Sequence, residues 1–360
     1  MTGPALSDTA ALPRPVQPGW RILAPLFDNR WNAALTLICL LPIAWLGPAL
    51  LRWSVLDAVF AGSRDACQVA SGACWAFVGD KLGFFLFGFY PAALRWRPGV
   101  AVLLVGVLIA ASLWPRFWHW RLLFAWLAGT AAALLLMAGG PGLAAVPTNQ
   151  WGGLPVSLMV TLAGVLGGFP LGVLLALGRR SRELPFIRWA CVVWIELVRG
   201  VPLISILFMV NVMVPLFLPE LLTPEKLARA LLAYALAASA YFAEVVRGGL
   251  QALPDTQGQT ARALGLSYWQ AMRLVVLPQA LRIAIPPLAN TVISFIKETS
   301  LVMVIGLFDL LGTIQLAARD PAWLVTGTEG YLFAGAVYLA LCAGTARYAG
   351  WLEHRLPRTV

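Results

Sequence analysis

The stretch "LPVSLMVTLAGVLGGFPLGVLLALGRRSR" (Leu154–Arg182) carries no charge from Leu154 to Gly178 and then ends in Arg179, Arg180 and Arg182. About 20 apolar residues are enough for a helix to cross the hydrocarbon of a bilayer. An uncharged run of that length with a basic end reads as one membrane span whose arginine end lies on the cytoplasmic side. The pattern recurs along the chain. Of its 360 residues, 60% are hydrophobic and only 12% are charged, against about 25% charged in soluble domains. A water-facing surface cannot be built from so few charges, which excludes soluble folds. The expected fold class is all-α, a polytopic helical membrane protein. The net charge is +10. In such a chain a basic excess marks cytoplasmic loops and lipid headgroup contact, not nucleic acid.

Apolar runs lie near 33–52, 99–114, 122–141, 154–178, 187–218, 227–246, 285–318 and 331–350, which predicts about eight transmembrane helices. The run 187–218 is long for one span and contains Glu196 and Arg199, so its start is expected to lie along the membrane surface. The run 285–318 is interrupted by the polar "KETS" (Lys297–Ser300). The apolar piece 82–94 is short, and its proline and the flanking Arg95 and Arg97 suggest an interfacial or re-entrant segment. The first apolar run starts only near Trp31, too late and too long for a cleaved signal peptide, and reads as a retained first span.

Eight spans put both termini on one side, and arginine placement sets which side that is. The segments 115–121, 179–182, 247–282 and 354–358 share the side of the N-terminal tail, so both termini are expected in the cytoplasm. Arg52, Arg64, Arg95 and Arg97 then fall outside or at the outer edge. The loop "GSRDACQVASGAC" (62–74) also lies outside. Its Cys67 and Cys74 could form a disulfide there or remain two free thiols. Cys39, Cys191 and Cys342 lie within apolar runs and read as packing residues. Residues 1–148 read as a cytoplasmic tail with about three additional transmembrane helices and a periplasmic loop, ended by the Gly/Pro-rich "GGPGLAAVPTNQWGG". Residues 150–352 read as a five-span unit with a long cytoplasmic loop, 247–284.

That loop holds "QTARALGLSYWQAMRLVVLP" (Gln259–Pro278). Pro254 and Asp255 suit a helix start. A short helix over 256–264 is followed by Gly265, as a C-cap glycine at positive φ would be. Ser267 with Gln270 three residues on fits a capping box and starts a second helix, which Pro278 is expected to end. Aromatic Tyr268 and Trp269, with Arg262 and Arg273 nearby, need a partner. On the residues alone it is either the bilayer or a groove in another protein.

The stretch resembles the cytoplasmic loop of permease subunits of ATP-binding-cassette (ABC) importers, E-A-A-x-x-x-G-x9-I-x-L-P. Gln259, Thr260, Ala261, Gly265, Val275, Leu277 and Pro278 occupy those positions. The likeness to polar amino-acid importers extends to "ELVRGVPLI" (Glu196–Ile204), "AEVVRGGLQALP" (Ala243–Pro254), "LGLSYWQAMRLVVLPQALR" (Leu264–Arg282) and "IKETSLVMVIGLFDLL" (Ile296–Leu311). The N-terminal extension, with "GFYP" and "RWRPG", most resembles a permease of the general L-amino-acid importers. Two departures stand out: the family's glutamate is Gln259 and its first alanine is Thr260, so an ion pair from position 259 is lost.

The resemblance implies a type I ABC importer fold in the five C-terminal spans and half of a pathway carrying L-amino acids across a bacterial inner membrane. It implies as partners a cytoplasmic ATPase dimer, a second permease that is a paralogue, and a periplasmic amino-acid-binding protein. ATP and magnesium would sit on the ATPase, with no cofactor in this subunit. The absence of G-x-x-x-x-G-K-[ST] agrees with a separate ATPase. The subunit itself is then no enzyme. His119 and His354 are far apart in sequence, and no metal-ligand or catalytic constellation is visible.

Ionisable residues within spans usually face a cavity or a partner. Glu196 with Arg199, and Glu244 with Arg247, are spaced i,i+3 and read as structural pairs. Lys297, Glu298, Thr299 and Ser300, with Asn290 one heptad earlier and Asp309 further on, form a candidate translocation pathway, because an amino acid needs donors and acceptors side by side. The alternative is a self-paired Lys297–Glu298 packed on a neighbouring subunit. An ion-coupled secondary transporter is the other functional class, and it would require inverted repeats with paired broken helices.

Overall fold

The computed structural model describes residues 26–140, 142–181, 183–323 and 327–356. Among them, seven helices are long and apolar enough to cross a membrane, or eight if a bent pair counts as one more span. They fall on the apolar runs of the sequence. Arg182 and residues 357–360, part of the basic segments used to orient the chain, lie outside the described residues.

The chain divides into two compact units between Cys74 and Trp75. In the first, the Arg30–Leu51 helix continues as a widened turn to Leu56. A short helix, Arg64–Val69, follows. Cys67 and Cys74 are disulfide-bonded across a Cα–Cα distance of 5.6 Å, and Val59 bridges to Cys74. Of the two states left open by the sequence, the bonded one is present.

The second unit begins well before residue 148, the boundary expected from the Gly/Pro-rich stretch. Residues 142–153 of that stretch are held by hydrogen bonds. Val146 N–H donates to Ala138 O at 2.9 Å, and the Trp151 indole donates to Val146 O at 3.1 Å. Gly152 and Gly153 then pair in parallel with Phe308 and Asp309. Upstream, buried Arg97 donates to Ala144 O at 2.7 Å. Ser112 O accepts from the Trp118 indole at 3.0 Å and the Tyr348 hydroxyl at 3.1 Å, which ties the Trp96–Leu113 helix to the last span. The segment around 82–94 is a Trp75–Phe87 helix and a turn. Its Phe85 stacks near Phe333, and its Lys81 pairs with Asp320 at 2.8 Å. Hydrogen bonding to Asp320 raises the Lys81 pKa, so the lysine's share of this pair is present at neutral pH and is lost as pH rises past that raised value.

The core is built on the Lys226–Gln251 helix, whose alanines 230, 233, 237, 238, 240 and 243 are buried with Tyr234 and Phe242. Small residues let helix backbones approach closely. A Cβ at Gly168 would meet the Ala238 Cβ at 2.7 Å, and one at Gly172 would meet the Phe242 Cβ at 2.7 Å. Those glycines set the closest crossing of the quoted span, Leu154–Arg180, on the central helix.

Two runs depart from simple spans. The run 187–218 is a bent pair, Pro185–Gly200 and Leu203–Phe217, turned by 104°. Val201 is extended, as the residue before a proline prefers, and Pro202 has no N–H to continue the first helix. The run 285–318 is a helix, Ile285–Glu298, a tight turn to Ile305, then Gly306 at positive φ, the two-residue strand and a short helix, Leu310–Ala317.

Candidate functional site

The loop after the central helix folds as its local signals dictate. A helix covers Thr256–Ala263. Gly265 adopts φ +90°. Leu266 N–H donates to Ala261 O at 3.2 Å and Gly265 N–H to Arg262 O at 3.0 Å, the paired bonds of a Schellman end that only a left-handed residue permits. Ser267 and Gln270 then form a reciprocal capping box, with Gln270 N–H to Ser267 Oγ at 3.3 Å and Ser267 N–H to Gln270 Oε1 at 2.9 Å.

Pro278 does not end the second helix. The helix widens over Met272–Val276 and continues to Ile283, with Pro278 near the start of the resumed turn. A proline is tolerated there because its missing N–H falls where the regular ladder is already interrupted. The Gln279 side chain donates to Val275 O at 3.0 Å, occupying one carbonyl of the widened turn.

The two faces of this loop differ. Ala261, Ala271, Met272, Val276 and Ala280 are buried, the last three against Ala176, Ile195, Ala243, Val246 and Leu250. On the other face Leu264 is 80% exposed, Trp269 67% and Leu274 63%. Gln259, Thr260, Arg262 and Arg273 are exposed beside them. Leu277 is half-buried and Pro278 exposed. The inner face fixes the loop to the spans, and the outer face offers aromatic, aliphatic and basic side chains at fixed positions.

Behind the loop lies a charged network. Glu244 takes Arg247, Arg179 at 3.6 Å and Arg199 at 3.5 Å, while Glu196 pairs with Arg179 at 2.9 Å. The i,i+3 pair Glu244–Arg247 forms as expected from spacing. Glu196–Arg199 does not: Arg179, from the end of the preceding span, takes Glu196, and Arg199 turns to the central helix. Helix spacing makes contact possible but does not select among competing partners.

The Lys297–Asp309 group separates into two sets. Thr299 and Asp309 are fully buried. The Tyr338 hydroxyl donates to Asp309 Oδ2 at 2.8 Å and lies 3.2 Å from Thr299 Oγ1. Asp309 Oδ1 accepts from Gly312 N–H at 2.8 Å and caps the following helix. These two residues hold the break in the span together, and their polar atoms are taken up by these bonds. Asn290 and Lys297 are exposed, Glu298 and Ser300 half-buried. Among the described residues, no ion pair within 4.0 Å joins Lys297 to Glu298. Exposed Ser294 lies between Asn290 and Lys297 on the same helical face. Sequence reasoning passed over Ser294, and it passed over Tyr338; the polar repeat at 290, 294 and 297 is the signal that would have found the serine.

The site thus joins a broken span, a tight glycine-lined crossing and a loop with exposed aromatic groups at one end of the spans. Residues 168–358 match the family described as binding-protein-dependent transport system inner membrane component. The inner membrane amino-acid ABC transporter permease protein YhdY of Escherichia coli (strain K12) is 46% identical over 333 residues, covering 92% of this chain and 90% of that protein. The glutamate/glutamine/aspartate/asparagine transport system permease protein BztC of Rhodobacter capsulatus is 34% identical over 401 residues, 92% of each chain. The crystal structure of an amino acid ABC transporter with histidines aligns with a TM-score of 0.50 at 30% identity, over 56% of this chain and 92% of that one. The chain belongs to the binding-protein-dependent transport system inner membrane component family. It is a permease subunit of the ABC importer class, a transport subunit whose ATPase is a separate chain. The ion-coupled alternative gains no support from these relatives.

Proposed function

We propose that this permease carries L-amino acids inward across a bacterial inner membrane, with a range like that of the general amino-acid importers. The observation that carries the coupling half of this reading is the exposed Leu264–Tyr268–Trp269–Leu274 face, held rigid by the Gly265 end and the Ser267–Gln270 box. In this reading the face seats in a cleft of a cytoplasmic ATPase dimer, and Met272, Val276 and Ala280 pass its movement to the spans. Gln259 and Thr260 contribute hydrogen bonds and shape there, without the charge the family usually has. ATP and magnesium sit on the ATPase. The other half of the pathway is a paralogous permease, a periplasmic binding protein delivers the amino acid, and both termini are cytoplasmic.

The exposed stripe Asn290, Ser294 and Lys297, with Glu298 and Ser300 at its end, is the candidate pathway lining. It offers donors and an acceptor to an ammonium and a carboxylate. The names of YhdY and BztC, both amino-acid permeases, support an amino-acid cargo. Uptake of a panel of labelled amino acids into vesicles holding the assembled system tests it. Uptake should require ATP and persist without an ion gradient. Transport that continues without ATP while the gradient is kept would overturn the reading.

A further inference from the structure

At the arginine end of the Leu154–Arg180 span a cavity of about 630 Å³ opens between that span, the Pro185–Gly200 helix and the central helix. Its size lies within the ~300–1,000 Å³ of small-molecule sites. Arg179, Arg180, Arg188 and Arg247 line it with one acid, Asp255, and with Gln251. Its remaining wall is apolar: Ala176, Val192, Leu250 and Leu253.

The charges do not balance. Arg179, Arg199 and Arg247 share Glu196 and Glu244. Arg180 meets Asp255 at 3.5 Å, a weak contact to a carboxylate whose side chain is 84% exposed. Arg188 has no carboxylate within 4.0 Å among the described residues. Five arginines thus face three carboxylates, Glu196, Glu244 and Asp255, and two positive charges are left over. Glu183 lines the adjoining groove with Arg180, Asp255 and Arg262, which adds one acid and one arginine and leaves the excess at two. A second observation is the amphipathic character of the helix beside the cavity. The helix that supplies Arg188 and Val192 exposes Phe186, Trp189 and Leu197 on its other face, and the Phe186 and Trp189 rings lie 6.4 Å apart. A helix with arginine on one face and aromatic and aliphatic groups on the other rests at the headgroup boundary.

We infer that the Arg180–Arg188 side of this cavity binds the phosphate of an anionic phospholipid, with the first carbons of its chains on Val192, Leu250 and Leu253, while Arg247 stays on Glu244 and Gln251. Arginine forks match phosphate oxygens and leave no need for a buried carboxylate partner. Free phosphate would use the same arginines, but it would leave the apolar wall empty. The bound headgroup bridges the end of one span and the amphipathic helix, and it competes with Asp255, at the root of the cytoplasmic loop, for Arg180. The site is independent of the cargo.

Native mass spectrometry of the full-length chain in detergent micelles tests the inference, with phosphatidylglycerol and phosphatidylcholine supplied in equal amounts. The wild-type chain should retain phosphatidylglycerol preferentially. Arg188→Gln should weaken that retention about fivefold, the loss expected for one basic group at a headgroup. Val192→Trp, which fills the apolar wall and leaves every arginine, should weaken it as well. Equal retention of the two lipids, or a preference unchanged in both variants, would overturn the site. Displacement of the lipid by millimolar inorganic phosphate, with Val192→Trp behaving as wild type, would overturn the lipid as its source.

Discussion

Two polar interruptions of this apolar chain look alike in sequence and differ in structure. Over 256–283 the polar groups complete the local backbone, and the large side chains point outward. Over 299–312 the buried polar groups bind one another: Thr299, Asp309 and Gly312, with Tyr338 of the last span, form one chain of hydrogen bonds. A buried polar group is tolerated only when it is hydrogen-bonded, so the second region uses up its own chemistry to hold a broken span. An exposed aromatic surface has no such outlet and needs a partner. The first region therefore leaves a face that the proposed reading gives to another molecule, and the buried part of the second keeps its own shape.

The largest expected effect breaks the first region alone. Leu264→Asp with Trp269→Asp should abolish co-purification of the ATPase, since a central aromatic anchor is worth about 2 kcal/mol or more, and should leave membrane insertion intact. Gly265→Val should weaken the same association by distorting the turn, at about 1–2 kcal/mol for a side chain forced to positive φ; pull-down yield reads it. In the core, Gly172→Val should lower thermal stability by about 1–3 kcal/mol through overpacking against Phe242, and Asp309→Ala by about 1–3 kcal/mol through a lost cap and a stranded Tyr338 hydroxyl; a melting curve of the detergent-solubilised chain checks both. If Asp309→Ala instead left stability unchanged and removed uptake, the division between the two regions would fail. Lys297→Ala should reduce amino-acid uptake several-fold without altering assembly. The smallest effect is expected from Gln259→Glu, which restores the family's charge to an exposed position, where such a charge contributes about 0–1 kcal/mol; co-purification yield should be nearly unchanged.

The first region was legible in the sequence because its determinants are local. Gly265, Ser267 and Gln270 act on backbone groups within five residues, and spacing alone reveals them. The spans were legible from length and lack of charge. What was missed depends on distance along the chain. Arg179 displaces Arg199 from Glu196 across 17 residues, and the Ser157 hydroxyl accepts from Leu310 N–H across 153; no periodicity encodes either. Pro278 was read as a stop because the anchoring of Met272, Val276 and Ala280 under the spans, which carries the helix past it, is a tertiary effect. The boundary at Cys74 was hidden for the same reason: residues 142–153 have the composition of a linker, yet Ala144, Gly152 and Gly153 are held by partners far away in sequence.

The central claim is that the outer face of 264–274 meets a protein and not the bilayer. A photoreactive amino acid at position 269, in the full chain expressed with its transport partners in membranes, tests it most directly. The account expects a cross-linked adduct with the ATPase subunit that disappears when Gly265→Val is added. Labelling of lipid alone, with the same yield in both backgrounds, would contradict it.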